Sequence, residues 1–264
     1  MAVSIVAVVI ITVISTVATV SEAAPLSFNF TSFEPCSDAA VKLYGDAYCA
    51  DSGVRVTGFD YYVSGQARYP KPMRLWDRST GQLANFTTAF SFAIDNDGGS
   101  WTCDGLAFFL ASAGYVTPTD ASEGRLGLVD RNHTFNATAA DNPFVAVEFD
   151  TYDNAWDTWR NESHVGIDVS SMRSVVSKRW KSYVDGTLMW ARVSYDGGKL
   201  CALFTGVTEN LTDVPMDSVC YEVDLRNYLT EWAVFGFSAS TAWRYQSHTV
   251  YSWSFSSDLD SHHD

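Results

Sequence analysis

The chain has 264 residues, of which 47% are hydrophobic and 14% aromatic, and its formal net charge is −14. This apolar fraction can build a large core, which excludes an intrinsically disordered chain, and the length suits one all-β domain. The acidic charge, with no cluster of Lys or Arg, argues against a nucleic-acid-binding protein and favours metal ions as partners.

The chain begins with a long run of apolar or small residues at 3–20, which the sequence SEAAP follows. Ser21 and Ala23 match the small-residue rule for cleavage, which predicts a signal peptide over residues 1–23. No Lys or Arg precedes the run, and a segment of this length could just span a bilayer, so an uncleaved anchor is the alternative. We expect cleavage, no membrane span in the mature chain, and a secreted protein in the apoplast or the vacuole.

N-glycosylation sequons support secretion, because the chain contains six of them. The six asparagines are Asn29, Asn85, Asn132, Asn136, Asn161 and Asn210.

Five cysteines are a further sign of an oxidising compartment. Cys36 and Cys49 flank a short polar loop, and Cys201 and Cys220 open two segments that we expect to be neighbouring strands. These two pairs are the predicted disulfides, each stabilising the fold by about 2–4 kcal/mol. Cys103 is left over, and we expect it to be buried and unreactive.

Strand signals run from residue 26 to residue 257. Segments such as TTAFSFAID (87–95), GLAFFLA (105–111) and WAVFGFSAS (232–240) are short and rich in β-branched or aromatic residues. Turn clusters such as DNDGGS and YDGGK separate them, and no helical period persists beyond a turn or two. The pattern predicts a single all-β domain over residues 24–258, either a sandwich or a barrel, and a flexible tail over 259–264.

An acidic segment, AVEFDTYDNAWDTWRNESHVGID (146–168), interrupts this pattern. Because side chains alternate along a strand, Glu148, Asp150 and Tyr152 share one face, and His164 opens the next alternating strand. The alternative is a solvated acidic loop with one exposed histidine.

Convergence of Glu148, Asp150 and Asp157 would need a positive partner. Each close pair of like charges costs about 4 kcal/mol at 4 Å with an effective dielectric constant near 20. Arg160 is the only local cation in the sequence, so a divalent metal ion is the natural partner. Carboxylates, an amide and a carbonyl suit calcium, whereas His with carboxylates suits manganese or another transition ion.

The segment VEFDTYDN, followed by Asp157 and HVGIDV, resembles the signature of the legume-type (L-type) lectins. Four other segments are similar to segments of that family and occur in the family's order. They are PLSFNFTSF (25–33), DGLAFFLA (104–111), EGRLGLVD (123–130) and FGFSAST with SWSFSS (235–257). The resemblance implies a concanavalin-like β-sandwich (jelly roll) with a flat back sheet and a curved front sheet.

The resemblance also implies a paired metal site. A manganese-type ion would be held by Glu148, Asp150, Asp157 and His164. Calcium would be held by Asp150, the Tyr152 carbonyl, Asn154 and Asp157. Asp153 competes with Asp157 for this role but points to the wrong face. We expect Asp153, Glu162 and Asp168 to be solvated or structural.

For the sugar site, the resemblance implies that Asp104 accepts hydrogen bonds from two hydroxyls, while Asn154 and the Gly124 backbone N–H donate. The Tyr152 ring would lie against the pyranose. Trp243 and Arg244 would line the rim, in the loop STAWRYQSHTV (240–250), whose length resembles that of the mannose/glucose-binding branch. Cys103 stands where most of the family has Ala, and Ala242 stands where Gly is usual.

We therefore expect a non-catalytic, calcium- and manganese-dependent lectin that binds mannose/glucose-type glycans of glycoproteins, as a homo-oligomer. One alternative is a truncated ectodomain of a lectin receptor. Another is a glycoside hydrolase of the same fold using Glu148 and Asp150, although a third acid is missing. A third is a member that has lost sugar binding. Without the resemblance, Asp104 is interpreted as an ordinary turn aspartate.

Overall fold

The computed structural model describes residues 25–34, 36–50, 53–132, 142–181, 183–205 and 216–259. The predicted signal peptide, the sequons at Asn136 and Asn210, and residues 260–264 of the predicted tail lie outside these ranges. Within the described ranges, no helix is both long and apolar enough to cross a membrane. The regular structure of the described residues is almost entirely strand, as the sequence predicts, and includes one short 3₁₀ helix at Leu225–Asn227.

The strands are short and follow one another along the whole described chain. The first eight are β1 (Leu26–Phe30), β2 (Lys42–Gly45), β3 (Tyr48–Ala50), β4 (Gly53–Thr57), β5 (Ser64–Arg68), β6 (Met73–Arg74), β7 (Asn85–Asp95) and β8 (Gly105–Ser112). The other eight are β9 (Phe144–Asp150), β10 (His164–Val169), β11 (Val176–Arg179), β12 (Met189–Asp196), β13 (Lys199–Thr205), β14 (Met216–Glu222), β15 (Trp232–Ser240) and β16 (Ser247–Asp258).

These strands form two antiparallel sheets of eight strands each. In the first, which we call the back sheet, neighbouring strands follow the order β14-β13-β12-β7-β16-β4-β3, and β1 also pairs with β16. In the second, the front sheet, the order is β11-β10-β9-β8-β15-β5-β2, and β6 also pairs with β15. The all-β sandwich predicted from the sequence is therefore confirmed.

Aromatic side chains from both sheets fill the space between them. The largest fully buried residues of this core are Trp253, Tyr195, Phe90, Phe92, Phe108, Phe149, Phe204, Phe235, Phe237 and Phe255. Full burial of one such side chain stabilises the fold by roughly 1.5–3 kcal/mol. Many of the rings meet edge to face, such as Phe237 and Trp253 at 4.9 Å between centroids, which adds directional contact to burial.

A second apolar cluster covers the outer face of the front sheet. Its members include Ala107 and Phe109 of β8, Phe144 and Ala146 of β9, and Leu126 and Leu128 of the covering loop. Because this cluster covers the outer face of β8 and β9 and the main core covers their inner face, every residue of both strands is buried. Along β9 the outward face continues from Phe144 and Ala146 to Glu148 and Asp150, so the apolar cluster gives way to acids at the strand's end.

The strand boundaries correct one detail of the sequence interpretation. Strand β9 ends at Asp150, so Tyr152 lies in the following loop and does not continue the strand face of Glu148 and Asp150. The cause is local, because the Tyr152 N–H donates to Asp150 Oδ1 at 2.7 Å and so turns the chain out of the sheet.

Two disulfides join Cys36 to Cys49 and Cys201 to Cys220, the pairs predicted from the sequence. The second disulfide crosses directly between β13 and β14, where its two cysteines are register partners. Cys103 is free and buried, as expected.

Candidate functional site

The acidic site lies at the end of the front sheet where β9 ends and β10 begins. In the antiparallel register Asp150 is paired with His164, and Glu148 with Gly166. One ligand atom from each of Glu148, Asp150 and His164 lies within 4.8 Å of the other two, and all three residues are buried. The structure thus brings together three of the four side chains expected around a manganese-type ion.

Close packing around Glu148 depends on a glycine. A Cβ at Gly166 would lie 2.5 Å from Glu148 Oε1. The same oxygen accepts a hydrogen bond from the Ser174 hydroxyl and lies 3.1 Å from His164 Nε2. Ser174 and His164 therefore hold the Glu148 carboxylate in one orientation. The absence of a side chain at Gly166 leaves the space that this carboxylate occupies.

Burial and like charge make this cluster costly in the absence of a cation. Burial raises the pKa of Asp150 well above its usual range, and the charges of Glu148 and Asp157 raise it further. Burial opposes protonation of His164, but its hydrogen bond to Glu148 and the charge of Glu148 outweigh this and raise the pKa of His164. The cluster therefore stabilises positive charge, whether a proton or a metal ion.

The loop after β9 carries the remaining expected metal ligands. The Asn154 N–H donates to Asp157 Oδ2 at 2.5 Å, and Arg160 donates to the Asn154 carbonyl at 2.8 Å. Burial raises the pKa of Asp157 to about 6. The charge of His164 lowers this pKa, whereas the charge of Glu148 raises it. Asp153 instead lies 3.1 Å from the guanidinium of Arg160. The charge of Asp157 acts on Asp150, so Asp157 lies near the cluster, although it is not among the three residues whose ligand atoms lie within 4.8 Å of one another.

Asp168 belongs to this buried cluster, a role that the sequence interpretation missed. We expected Asp168 to be either solvated or structural. It is fully buried, so it is structural. Burial raises its pKa well above the usual range, and the charge of Glu148 raises it further. The signal was present in the alternation of β10, which places Asp168 on the same face as His164.

Asp104 lies beside the cluster because it precedes β8, whose first residue, Gly105, pairs with Asp150. Its carbonyl accepts hydrogen bonds from the Thr151 N–H at 2.9 Å and the Thr151 hydroxyl at 2.7 Å. The carboxyl is buried, and within the described ranges its Oδ1 has no hydrogen-bond partner. Burial raises the pKa of Asp104 to about 8, with a contribution from the charge of Glu123.

Gly124 and Asn154 touch at the same place. A Cβ at position 124 would lie 2.5 Å from Asn154 Oδ1 and 2.6 Å from its Nδ2. Asn154 is buried, and its Oδ1, like Asp104 Oδ1, lacks a hydrogen-bond partner among the described residues. Unsatisfied buried oxygens are rare, so an external donor or cation is expected at each.

Gln246, a second residue missed in the sequence, holds these segments together. Its Oε1 accepts from the Cys103 N–H at 2.9 Å and from the Thr151 hydroxyl at 2.8 Å. The Cys103 thiol donates to the Arg244 carbonyl at 2.8 Å and accepts from the Ala242 N–H at 3.1 Å. No motif in the sequence marks Gln246; only its complete burial in the folded chain reveals this role.

An open cleft is lined by Thr102, Thr151, Tyr152, Asp153, Asn161, Glu162 and Ser163. Trp243, predicted at the rim, is 52% exposed, and the guanidinium of Arg244 lies 4.2 Å from its ring centroid. Tyr152 thus faces a cleft next to Asp104, whereas contact of Trp243 and Arg244 with a ligand stays a prediction.

The donor set fits divalent cations. Buried carboxylates with raised pKa values, a buried imidazole and an unpartnered amide oxygen are the ligands that manganese and calcium take from proteins. Glu148, Asp150, Asp157 and His164 would hold the first ion; Asp150, Asn154, Asp157 and the Tyr152 carbonyl would hold the second. When bound, the ions would supply the positive charge that the carboxylates require and would position Asn154.

Comparison with known proteins matches the chain to one family. The family model of the legume lectin domain matches residues 25–264. An alpha-methyl-mannoside-specific lectin of Arachis hypogaea is 37% identical over 247 residues, covering 89% of this chain and 84% of that lectin.

Solved structures show the same similarity. A seed lectin of Lotus tetragonolobus has a TM-score of 0.79 and 34% identity, covering 89% of this chain and 99% of that one. The acidic lectin of winged bean, solved with methyl-alpha-D-galactose, has a TM-score of 0.77 and 28% identity, again covering 89% of this chain and 99% of that one.

Proposed function

Because this chain belongs to the legume lectin family, whose members bind carbohydrates, we propose that it binds glycans through Asp104, Gly124 and Asn154. The observation that supports this proposal is the close contact of Gly124 with the Asn154 side chain, whose Oδ1 is buried and, like Asp104 Oδ1, has no hydrogen-bond partner among the described residues. Asp104 would accept hydrogen bonds from sugar hydroxyls, and the Gly124 N–H and the Asn154 amide would donate. The Tyr152 ring would lie against the apolar face of the sugar.

Calcium and manganese, or another transition ion, are part of the proposal. The cluster of Glu148, Asp150 and His164 supports it, because its acids are buried together. Asn154 connects the two functions, since its oxygen would bind calcium while its NH₂ group donates to the sugar.

Mannose/glucose-type glycans are the proposed ligands. The Arachis hypogaea relative is described as specific for alpha-methyl-mannoside, and the length of the 240–250 loop favours the same sugars. A galactose-type ligand is the alternative, because the winged bean acidic lectin was solved with methyl-alpha-D-galactose.

Secretion and multivalency complete the proposal. The predicted signal peptide over residues 1–23 would direct the chain to the apoplast or the vacuole, and the sequon residues Asn29, Asn85, Asn132 and Asn161 are all exposed. A shallow site binds one sugar with a Kd near millimolar, about −4 kcal/mol, so useful avidity would come from several sites on a homo-oligomer.

Two alternatives differ in what supports them. The family assignment sets aside the glycoside hydrolase, since the matched relatives are lectins. A role as the ectodomain of a lectin receptor stays open, because the same domain would bind the same glycans in that context.

A glycan array probed with and without calcium and manganese tests this function. We expect mannose-terminated glycans to bind in the presence of the ions, and methyl mannoside to inhibit better than methyl galactoside. Binding confined to galactose-terminated glycans would overturn the specificity, and equal binding after exhaustive chelation would overturn the metal dependence.

A further inference from the structure

One sequon lies beside the candidate sugar site. Asn161, in the sequence Asn-Glu-Ser, is exposed and has a φ of +58°, so it projects from a tight turn. It lines the same open cleft as Tyr152 and Thr102. Tyr152 belongs to the proposed sugar site and Thr102 lies two residues before Asp104, so the cleft that Asn161 lines is next to that site.

Contacts on both sides hold this turn in place. Before Asn161, Arg160 donates to the Asn154 carbonyl at 2.8 Å and lies 3.1 Å from Asp153. After it, Glu162 lies 2.8 Å from the Arg179 guanidinium, and the carbonyl of the sequon serine accepts from the Trp180 N–H at 2.8 Å. A group attached to Asn161 would therefore start from a defined point next to the cleft.

We propose that Asn161 carries an N-linked glycan and that this glycan restricts entry of large glycans to the sugar site. The inference rests on the proposed function, whose binding site the attached glycan would partly cover. An N-linked glycan is bulky and hydrophilic and extends over the surface from its asparagine. A single sugar can pass beside it, whereas a branched glycan fixed to a glycoprotein needs the open space above Tyr152.

Asn85 supplies a matched control within the same chain. It is an exposed sequon residue at the start of β7. The other end of β7, Asp95, pairs with Ser247, directly after Gln246 of the sugar site. Asn85 lies about 34 Å from that end, because β7 runs ten residues further to Asp95 and a strand rises about 3.4 Å per residue. A glycan on Asn85 therefore cannot reach the cleft entrance in the same way.

The test compares wild type, Asn161→Gln and Asn85→Gln, all secreted from plant cells. Glycopeptide mass spectrometry measures occupancy of Asn161. Titration with methyl mannoside and with an immobilised glycoprotein bearing branched mannose-rich chains measures access. If the glycan covers the cleft for about two-thirds of the time, Asn161→Gln strengthens glycoprotein binding about threefold. Methyl mannoside affinity, and both affinities of Asn85→Gln, should stay at the wild-type values.

Each other outcome identifies what has failed. An unoccupied Asn161 in the secreted protein overturns the inference, as does an Asn161→Gln variant that binds the glycoprotein no better than Asn85→Gln does. In both cases the wild type still binds glycans, so the proposed function survives. If no variant binds any glycan, the proposed function fails, and the inference fails with it.

Discussion

Gly124 and Asn154 are in such close contact that a Cβ at position 124 would lie 2.5 Å from Asn154 Oδ1. Real Cβ atoms do not approach so closely, so any residue other than glycine displaces the Asn154 side chain. The contact holds the buried side-chain amide of Asn154 against the backbone of Gly124. In the proposed sugar site, this amide and the Gly124 N–H would both donate to sugar hydroxyls.

The first prediction follows from this contact. Gly124→Ala should weaken binding of methyl mannoside more than tenfold, a loss of at least about 1.4 kcal/mol, because Asn154 must move. Isothermal titration with calcium and manganese present measures the loss. Gly114→Ala is the matched control, since a Cβ there meets no atom within 4 Å. Wild-type affinity in Gly124→Ala would show that Asn154 does not contact the sugar.

The second prediction concerns Cys103, whose thiol connects Asp104 to the loop at Ala242 and Arg244. Cys103→Ala removes both hydrogen bonds, but the Ala242 N–H still donates to the Arg244 carbonyl at 3.1 Å. The variant should therefore lower the free energy of unfolding by about 1 kcal/mol. Cys103→Ser keeps a donor and an acceptor and should recover part of this loss. Urea unfolding measures the stability, and methyl mannoside titration measures the site. Equal stability of Cys103→Ala and wild type would contradict this account.

Cys103 also shows which features of the structure can be predicted from the sequence and which cannot. The odd number of cysteines predicts that Cys103 is buried, the strand patterns predict most of the long strands, and the positions of the other four cysteines predict both disulfides. The partners of Cys103 lie 139 and 141 residues away in the chain, a separation over which no periodicity carries information. The same holds for Gln246, which contacts Cys103 and Thr151 only after folding.

Some features of the acidic cluster could also be predicted from the sequence, and others could not. Alternation along β9 predicts that Glu148 and Asp150 share a face, and the register with β10 adds His164. The prediction that Tyr152 continues this strand face was wrong, because a local hydrogen bond from its N–H to Asp150 ends the strand. Alternation along β10 places Asp168 on the same face as His164. The sequence does not show that other parts of the chain cover this face, so the burial of Asp168 could not be predicted.

The third prediction is loss of sugar binding on metal removal. Dialysis against EDTA should abolish detectable glycan binding, because Asn154 loses its proposed calcium partner and the buried acids repel one another. Re-addition of calcium and manganese should restore it. Because the ligands must be deprotonated, metal uptake should release protons, which calorimetry in two buffers of different ionisation enthalpy detects. Full glycan binding after EDTA, with metal content shown to be zero, would refute the metal role.

The metal-free protein should also depend on pH in a defined direction. Burial raises the pKa of Asp104 to about 8, and those of Asp150 and Asp168 lie well above their usual range. The folded state then binds more protons than the unfolded state, so stability falls as pH rises towards 8. The raised pKa of His164 acts in the same direction. Burial lowers the pKa of His248 to about 3, which acts in the opposite direction, but only below the unfolded value near 6.5.

The fourth prediction therefore uses the window between pH 7 and 8, which lies above the unfolded pKa of His248 near 6.5, so that His248 is mostly neutral in both states. In EDTA, the free energy of unfolding should fall with pH by about 1.4 kcal/mol per pH unit for each buried acid that still holds its proton. With calcium and manganese the fall should disappear or reverse, because the ions replace the protons and bind more tightly as pH rises. Urea unfolding at pH 7, 7.5 and 8 measures both series. A metal-free protein that gains stability across this window would show that the acids of the cluster are already ionised, and that the site does not depend on added positive charge.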